Sequence, residues 1–288
     1  MAYQDLREFI SKLEAEGRLQ RVSEPVSPIF EMTEIQTRLL AEGGPAVLFE
    51  NVVQENGEKY SLPMLVNLFG TVERVAWGIE REPETLRELG ETLAFMRQPE
   101  PPGGWKEAIG MLPLVKSAMA MKPKTVSNAP VHEIVLEGDD IDLANFPIQT
   151  CWPDEPAPLI TWPLVVTQGS DDSKSDNFNI GIYRMQVTGK NTTLMRWLKH
   201  RGGAQHFAKH SEPMPVAVVI GADPGTILAA VAPVPDIMSE YQFAGLLRNQ
   251  KVELADCKTV PLKVPAQAEI VLEGHVSLDD FQDEGPYG

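Results

Sequence analysis

Cysteine is scarce in this sequence, because only Cys151 and Cys257 occur among its 288 residues. Neither belongs to a CxxC pair or to a paired Cys/His spacing, which excludes a disulfide framework and the common zinc sites. The glycine-rich signatures GxGxxG and GxxxxGKS/T are also missing. A Rossmann or P-loop nucleotide site is therefore not expected.

Long apolar runs and excess positive charge are missing as well. No apolar run reaches the roughly 18 residues of a membrane span, and the N-terminal MAYQDLREFISKLEAEG has the pattern of a charged amphipathic helix rather than a signal peptide. The formal net charge of −16 argues against a nucleic-acid surface and against electrostatic docking on anionic lipid. We therefore expect a cytoplasmic protein without a nucleic-acid partner, while apolar contact with the inner face of the cell membrane stays open.

The composition supplies enough apolar material for one large or two ordinary domains, with 43% hydrophobic and 23% charged residues. Helix and strand patterns alternate at first, which predicts an N-terminal α/β domain with a linker helix over residues 1–125. Over 126–288, many short strand patterns are typical of an antiparallel barrel or sandwich. The predicted fold class is thus α+β, with Pro/Gly-rich residues 99–104 near the boundary. The strand patterns of the second half are VHEIVL, LITWPLVVTQ, MPVAVVIGA, VELADCKTVPLKV and AEIVLEGHV.

Residues 176–203 bring metal-binding, cationic and aromatic side chains into one short stretch. FNIGIYRMQVT, the turn residues GKN and then TTLMRWL predict a β-hairpin. The second strand leads into Lys199, His200 and Arg201, followed by Gly202 and Gly203, whose backbone N–H groups are open to an anion such as a phosphate.

Asn179, His200 and Glu240 are the candidate metal ligands. An amide oxygen, an imidazole and a carboxylate together suit a divalent ion such as Mn²⁺ or Mg²⁺. The alternative is structural, because Glu240 follows Ser239 at the expected start of a helix, where both residues are common capping groups.

Five cationic residues within this stretch, in an otherwise acidic chain, indicate a bound anionic group: Arg184, Lys190, Arg196, Lys199 and Arg201. An exposed hairpin face is the alternative. In a regular strand Arg184 shares the apolar face, and Asn179 lies on the opposite one. If both serve one ligand the strand must bulge, and Gly181 is the expected position.

Two further segments are candidates for the walls of a pocket. Glu284 lies in DEGPYG, a turn that either aims a carboxylate at a pocket or stays at the surface. Trp152 and Trp162 lie in the proline-rich TCWPDEPAPLITWP, which predicts either core packing or a wall for a planar ligand.

Taken together, the motifs closely resemble the UbiD family of decarboxylases over essentially the whole chain. They are NIGIYRMQVTGKNTTLMRWLKHRGG, DLREFISKLEAEGRL, GGPAVLFENV, LVNLFGTVERVAWG, QTCWPDEPAPLITWPLVVT, GADPGTILAAVAPVPDIMSEYQFAGLLR and EGPYG. The resemblance implies decarboxylation of 3-polyprenyl-4-hydroxybenzoate to 2-polyprenylphenol in ubiquinone biosynthesis. Two alternatives remain: a family member acting on another aromatic or acrylic acid, and a flavin-binding scaffold without turnover.

The same resemblance implies prenylated FMN, supplied by a flavin prenyltransferase, together with a divalent metal, usually Mn²⁺, and often K⁺. By position, Asn179, His200 and Glu240 match the metal ligands, and Arg184 and Glu284 match two members of the catalytic network. The positions that match cofactor-binding stretches are Ile182, Tyr183, Arg184, Arg196, Trp197, Leu198, Arg201 and Gly202.

The resemblance also implies a split β-barrel that holds the flavin, and a C-terminal domain for oligomerisation, commonly into a hexamer. The third acid of the network is expected five residues after Glu284, a position that this sequence does not contain. We therefore expect this chain to be an N-terminal fragment that lacks the oligomerisation domain and is inactive by itself.

Overall fold

The computed structural model describes residues 2–97, 119–169, 177–234 and 238–287. The predicted boundary at 99–104 lies outside these ranges. So does the helix predicted to begin at Trp105, except for a last turn at 119–121 that is helical. No helix in the described ranges has the length and apolar character needed to cross a membrane.

The first hundred residues alternate helix and strand as predicted. The elements are α1 (Leu6–Ala15), β1 (Leu19–Val22), α2 (Glu31–Ala41), β2 (Ala46–Phe49), β3 (Met64–Val66), α3 (Val72–Gly78) and α4 (Leu86–Arg97). Strands β1 and β2 are parallel, β2 and β3 are antiparallel, and β2 lies in the middle. Phe9 and Leu13 of α1 pack on this sheet because their spacing puts both on one face of the helix.

A buried arginine fixes the loops at the edge of this sheet. Arg74 is 1% exposed, and its guanidinium donates hydrogen bonds of 2.9–3.0 Å to the carbonyls of Gly44, Asn67 and Leu68. Burial lowers the pKa of Arg74. The side chain therefore donates to three backbone acceptors in these loops, of which the Gly44 and Asn67 carbonyls also accept from the Asn67 amide and the Gly70 N–H.

The second half is rich in short strands, as predicted. Its strands are β4 (Lys124–Thr125), β5 (Leu159–Ile160), β6 (Leu164–Gln168), β7 (Phe178–Ile182), β8 (Met185–Val187), β9 (Thr193–Met195), β10 (Met214–Ile220), β11 (Glu253–Asp256), β12 (Lys263–Pro265) and β13 (Ile270–Val276). Its α-helices are α5 (Gly202–Phe207), α6 (Pro224–Ala229) and α7 (Glu240–Arg248). The described strands form sheets of order β13-β10-β6-β7, β12-β11-β4 and β5-β8-β9, and none of these sheets closes into a barrel.

The four-stranded sheet is central because both of its faces are covered. Alternation in β6 sends Val166 toward the core that contains Tyr241 and Phe243 of α7. It sends Val165 to the other side, against Ile160 and Met185 of the β5-β8-β9 sheet. The second half is therefore a sheet packed between another sheet and a helical layer.

Two strand predictions were wrong in part. VHEIVL forms a 3₁₀ turn at Pro130–His132, no strand follows over 133–136, and Ile134 and Leu136 are exposed, so their apolar pattern finds no partner strand. LITWPLVVTQ is split at residues 161–163, where Pro163 has no N–H to donate to a ladder.

Helix α6, which the sequence patterns did not indicate, is capped by Asp223, whose carboxylate accepts from the Thr226 N–H.

The predicted hairpin around GKN forms only in part, because its first arm is divided between two sheets. Val187 of β8 pairs with Thr193 of β9 across the turn. Strand β7 instead pairs with β6 of the central sheet, and the chain changes sheets at residues 183–184. Gly181 stays in register with Val165, so the irregularity lies two residues later than predicted.

Candidate active site

The change of sheet is a bulge shared by two neighbouring strands. On one side Ile160 pairs with Met185, and on the other Leu164 pairs with Ile182. Residues 161–163 therefore face only residues 183–184. A bulge of this kind bends both strands and redirects the side chains within it, and here those side chains belong to Tyr183 and Arg184.

Arg184 points from the bulge toward the turn near the end of the chain and meets Glu284 there. Its Nε and Nη2 donate to the two carboxylate oxygens of Glu284 at 3.1 and 2.8 Å. The side chains are 31% and 13% exposed, so the pair is partly shielded from water. These hydrogen bonds raise the pKa of Arg184 above its ordinary value, and the guanidinium stays charged.

The turn that carries Glu284 is held on the bulged strands. The Gly285 N–H donates to Oε1 of the buried Gln186 at 3.1 Å. The Tyr287 hydroxyl donates to the carbonyl of Ala157 at 3.3 Å, and its ring lies 5.1 Å from the Arg184 guanidinium. Gln186 and Tyr287 had not been identified as site residues, although Tyr287 lies in the EGPYG motif.

Tyr183, the other residue of the bulge, packs against its own strand and against Trp197. Its ring lies so close to Gly181 that a Cβ there would approach within 2.6 Å, and its hydroxyl accepts from the Gly203 N–H at 3.3 Å. Trp197 contacts the same ring edge-on at 6.0 Å. The Gly203 N–H therefore has a partner within the protein, contrary to the expectation that it is open to an anion.

Asn179 and Glu240 lie next to each other at the edge of the central sheet. The Glu240 carboxylate accepts from the backbone N–H of Ile180 at 2.9 Å. The Asn179 amide nitrogen is buried without a hydrogen-bond partner in the described structure, and a Cβ at Gly202 would collide with the Asn179 side-chain oxygen. Gly202 is thus required by close approach, and it brings the start of α5 against β7.

Helix α7 begins at Glu240, as the structural alternative predicted, and Ser239 is its cap. The Ser239 hydroxyl accepts from the Gln242 N–H, and the Gln242 side chain accepts from the Ser239 N–H. Glu240 is left with its carboxylate turned to β7, and burial raises its pKa to about 7. No described cationic side chain pairs with it. A buried carboxylate without a cation is costly, which fits a position completed by a positive ion.

The predicted metal ligands are only partly brought together. The Asn179 and Glu240 oxygen donors suit a hard divalent ion. His200 is exposed, and its ring makes no hydrogen bond to any residue that the structure describes. Within the described ranges no three His, Cys, Asp or Glu side chains cluster as a metal site, so an ion bound here would depend on the Asn179 amide.

The predicted cofactor residues fall into buried and exposed groups. Ile182 packs against the main core of the second half. Arg196, Leu198 and Arg201 are exposed, and no described carboxylate pairs with either arginine. Lys199 is likewise exposed and unpaired, whereas Lys190 donates to the carbonyl of Asp139. These lysines and arginines are therefore exposed, whereas Arg184 is partly shielded from water and paired with Glu284.

A groove of about 2390 Å³ runs past the Arg184–Glu284 pair. Its walls include β9 and β13, and its apolar lining includes Leu194, Ile270, Leu272, Val276 and Phe281. Arg196, Lys199 and Tyr287 also face it. Trp152 and Trp162 do not line the groove. Their side chains are 45% and 49% exposed, and Trp162 stacks on Phe69 of the first half with the ring centroids 5.8 Å apart.

Comparison with known proteins gives two family matches. The N-terminal domain model of 3-octaprenyl-4-hydroxybenzoate carboxy-lyase matches residues 10–93, and the Rift-related domain model of the same family matches residues 124–288. Together they lie on both sides of the segment between the two halves.

Solved structures resemble the chain over almost its full length. HmfF of Pelotomaculum thermopropionicum, a UbiD-class enzyme, is 30% identical, with a TM-score of 0.79, both in complex with FMN and in an evolved dimeric form with prFMN. The match covers 99% of this chain and 57% and 60% of those chains. Vanillic acid decarboxylase of Sedimentibacter hydroxybenzoicus in its closed form is 26% identical over 100% of this chain and 58% of that one, with a TM-score of 0.82.

The chain thus spans a little under three fifths of the length of these proteins. The Rift-related match covers more than half of the 288 residues. The family models and the fold place this chain in the UbiD family.

Proposed function

We propose that this chain carries the cofactor-binding and substrate-binding part of a decarboxylase that uses prenylated FMN. The observation that carries the proposal is the charged Arg184, which Glu284 holds on the wall of a groove with its side chain still 31% exposed. A guanidinium so held offers its remaining N–H groups to a carboxylate, the group that the reaction removes.

The chemistry divides between the cofactor and the protein. Loss of CO₂ from an aromatic acid leaves an electron pair in the plane of the ring, and the prenylated flavin supplies the delocalisation that this pair requires. Arg184 binds and orients the substrate carboxylate. Glu284 holds Arg184 in place and takes part in moving the proton that replaces CO₂ on the ring carbon.

Asn179 and Glu240 are proposed to hold a divalent metal, Mn²⁺ in the first instance, together with the cofactor phosphate. The buried carboxylate without a cation and the close approach of Gly202 to Asn179 support this assignment. His200 is proposed as the third ligand by family resemblance alone. Metal analysis of purified protein tests the set: Glu240→Gln should lower metal content severalfold, whereas Glu212→Gln, an exposed carboxylate, should not.

The flavin-binding residues remain those expected from the family: Ile182, Tyr183, Arg184, Arg196, Trp197, Leu198, Arg201 and Gly202. Tyr183, Trp197 and Gly202 are supported by their mutual packing beside Asn179. Arg196 and Arg201 are supported as cofactor-binding residues because no carboxylate in the described part of the chain pairs with either of them. We also propose the division into residues 1–125 and 126–288, the second as a split barrel, and assembly of the full-length protein into an oligomer.

The finer proposal for the substrate is 3-polyprenyl-4-hydroxybenzoate. The apolar lining of the groove beside Arg184 supports it, because a polyprenyl tail needs a long apolar surface. A smaller aromatic acid is the second candidate, favoured by similarity to vanillic acid decarboxylase. Full-length enzyme supplied with prenylated and unprenylated 4-hydroxybenzoate separates them, since a marked preference for the unprenylated acid would overturn the finer proposal.

The decarboxylase proposal itself is tested with the full-length protein loaded with cofactor. Arg184→Ala should abolish CO₂ release from the preferred acid while the flavin absorbance remains. Retention of near wild-type turnover would contradict the role of Arg184. Failure to bind flavin under any loading condition would instead favour a scaffold without turnover.

A further inference from the structure

The Arg184 guanidinium is constrained on one edge and one face. Glu284 takes its Nε and Nη2 edge, and the Tyr287 ring covers one face at 5.1 Å. Nη1 makes no hydrogen bond to any described group. The guanidinium therefore has one defined edge free for a ligand.

Glu284 by itself does not fix that edge in space. Its two hydrogen bonds hold one edge of the guanidinium, so the rest of the group can still tilt about that edge. An aromatic ring on the face blocks the tilt and also attracts the cation. The ring is therefore the contact that sets the direction of Nη1.

Tyr287 is itself anchored by its hydroxyl. It donates to the Ala157 carbonyl, and the adjoining turn is held by Gln186 and packs on Pro156. Burial, with smaller contributions from Glu155 and Glu284, raises the pKa of Tyr287 to about 12, so the hydroxyl keeps its proton near neutral pH. A phenylalanine would keep the ring but lose this anchor.

We propose that Tyr287 is a positioning residue, which holds the Arg184 guanidinium so that its free edge meets the substrate carboxylate. The inference rests on the proposed function, and it adds a residue that acts through Arg184 without contacting the reacting atoms. It predicts a carboxylate-specific effect, because Tyr287 acts through Arg184, the residue proposed to bind the carboxylate.

The test uses the full-length, cofactor-loaded protein and two ligands: a non-reacting aromatic acid and the corresponding primary amide. Tyr287→Leu is expected to weaken binding of the acid about tenfold and to lower kcat/KM by about 10- to 100-fold, since small misplacements carry costs of this size. Binding of the amide, flavin content and Tm should change little. Equal weakening of both ligands would overturn the proposal and assign Tyr287 a purely structural role.

Two further variants keep the test decisive. On an Arg184→Gln background, Tyr287→Leu should have no further effect on acid binding, because the two residues act as a unit; an unchanged, additive loss contradicts the inference. If Tyr287→Leu does not fold, Tyr287→Phe carries the test with a smaller, acid-specific loss, and Tyr60→Phe in the first half is the matched control. No change for Tyr287→Phe in that case overturns the proposal.

The proposed function and this inference fail in different ways. Full turnover in Arg184→Ala would contradict the proposed function, whatever the effect of the Tyr287 variants. If Arg184→Ala loses turnover but Tyr287→Leu weakens binding of the acid and the amide equally, only the proposed role of Tyr287 is contradicted.

Discussion

Arg184 and Glu284 are 100 positions apart in the sequence, yet they are joined by two hydrogen bonds of 3.1 and 2.8 Å. The bulge between β7 and β8 directs the arginine, and the Gln186 side chain fixes the turn that brings the glutamate. This pair joins strand geometry to the proposed chemistry, and its removal is the first prediction.

Glu284→Gln should lower kcat of the full-length, cofactor-loaded enzyme by about 10²- to 10³-fold, the size typical of losing one preorganised polar contact in an active site. The amide has one acceptor oxygen where the carboxylate has two, and its NH₂ group cannot accept from the guanidinium, so Arg184 loses one of its two hydrogen bonds. Steady-state CO₂ release measures the effect. Asp283→Asn, a change at the neighbouring exposed acid, should keep wild-type turnover; equal losses for both variants would refute a specific role for Glu284.

Gly202→Ala should reduce flavin and metal content together. The new Cβ collides with the Asn179 side-chain oxygen, so either α5 or Asn179 must move. Absorbance and metal analysis of the loaded protein provide the measurement. Gly90→Ala is the matched control, because nothing lies within 4 Å of its added methyl group and the position is helical; it should stabilise the fold by about 0.5–1 kcal/mol.

Arg74→Met should lower the free energy of unfolding by about 1–3 kcal/mol, because the Leu68 carbonyl loses its donor and the Gly44 and Asn67 carbonyls each lose one of two. Arg87→Met removes an arginine whose side chain is 89% exposed and should change stability by less than about 0.5 kcal/mol. Denaturant unfolding compares the two variants. A small effect at Arg74 would mean that water or a rearranged loop satisfies these carbonyls.

Acid stability should depend on His206, which is buried and bonded to the Thr167 hydroxyl at 2.9 Å. Burial, with smaller contributions from Lys209 and His210, lowers the pKa of His206 from 6.5 to about 4. Between these values the unfolded chain binds more protons, so stability is complete above pH 6.5 and is lost as the pH falls toward 4. The expected loss is about 1–3 kcal/mol.

His206→Gln removes this titration and should flatten the dependence of unfolding free energy on pH over the same window. Denaturant titrations at a series of pH values provide the measurement, with His275→Gln as a control that removes an exposed imidazole. An unchanged slope in His206→Gln would show that another group dominates acid unfolding.

Local patterns predicted much of the fold. The helices near 6–15, 31–41 and 240–248 follow apolar spacing, and β10 and β13 follow runs rich in β-branched residues, so neighbouring residues alone are sufficient to indicate them. The sequence resemblance also predicted that Arg184 and Glu284 belong to one catalytic network, and the structure brings their side chains into contact. Residues 133–136 show the limit of local patterns, since they have the apolar composition of a strand but pair with no strand in the described residues.

Interactions between distant segments decided the rest. The bulge arises because residues 161–163 on one strand face 183–184 on the other, a register that no local pattern specifies. The contacts of Tyr287 with Arg184 and Ala157 likewise depend on where the terminal turn folds back.

By itself, the sequence determined the fold class, the periodic helices and strands, the acidic balance and the family. The tertiary structure alone decided where the strand bends, which hydrogen bonds hold Glu284 and which edge of Arg184 remains free. Periodicity is a property of adjacent residues, whereas register and side-chain direction are set by partners far away in the chain.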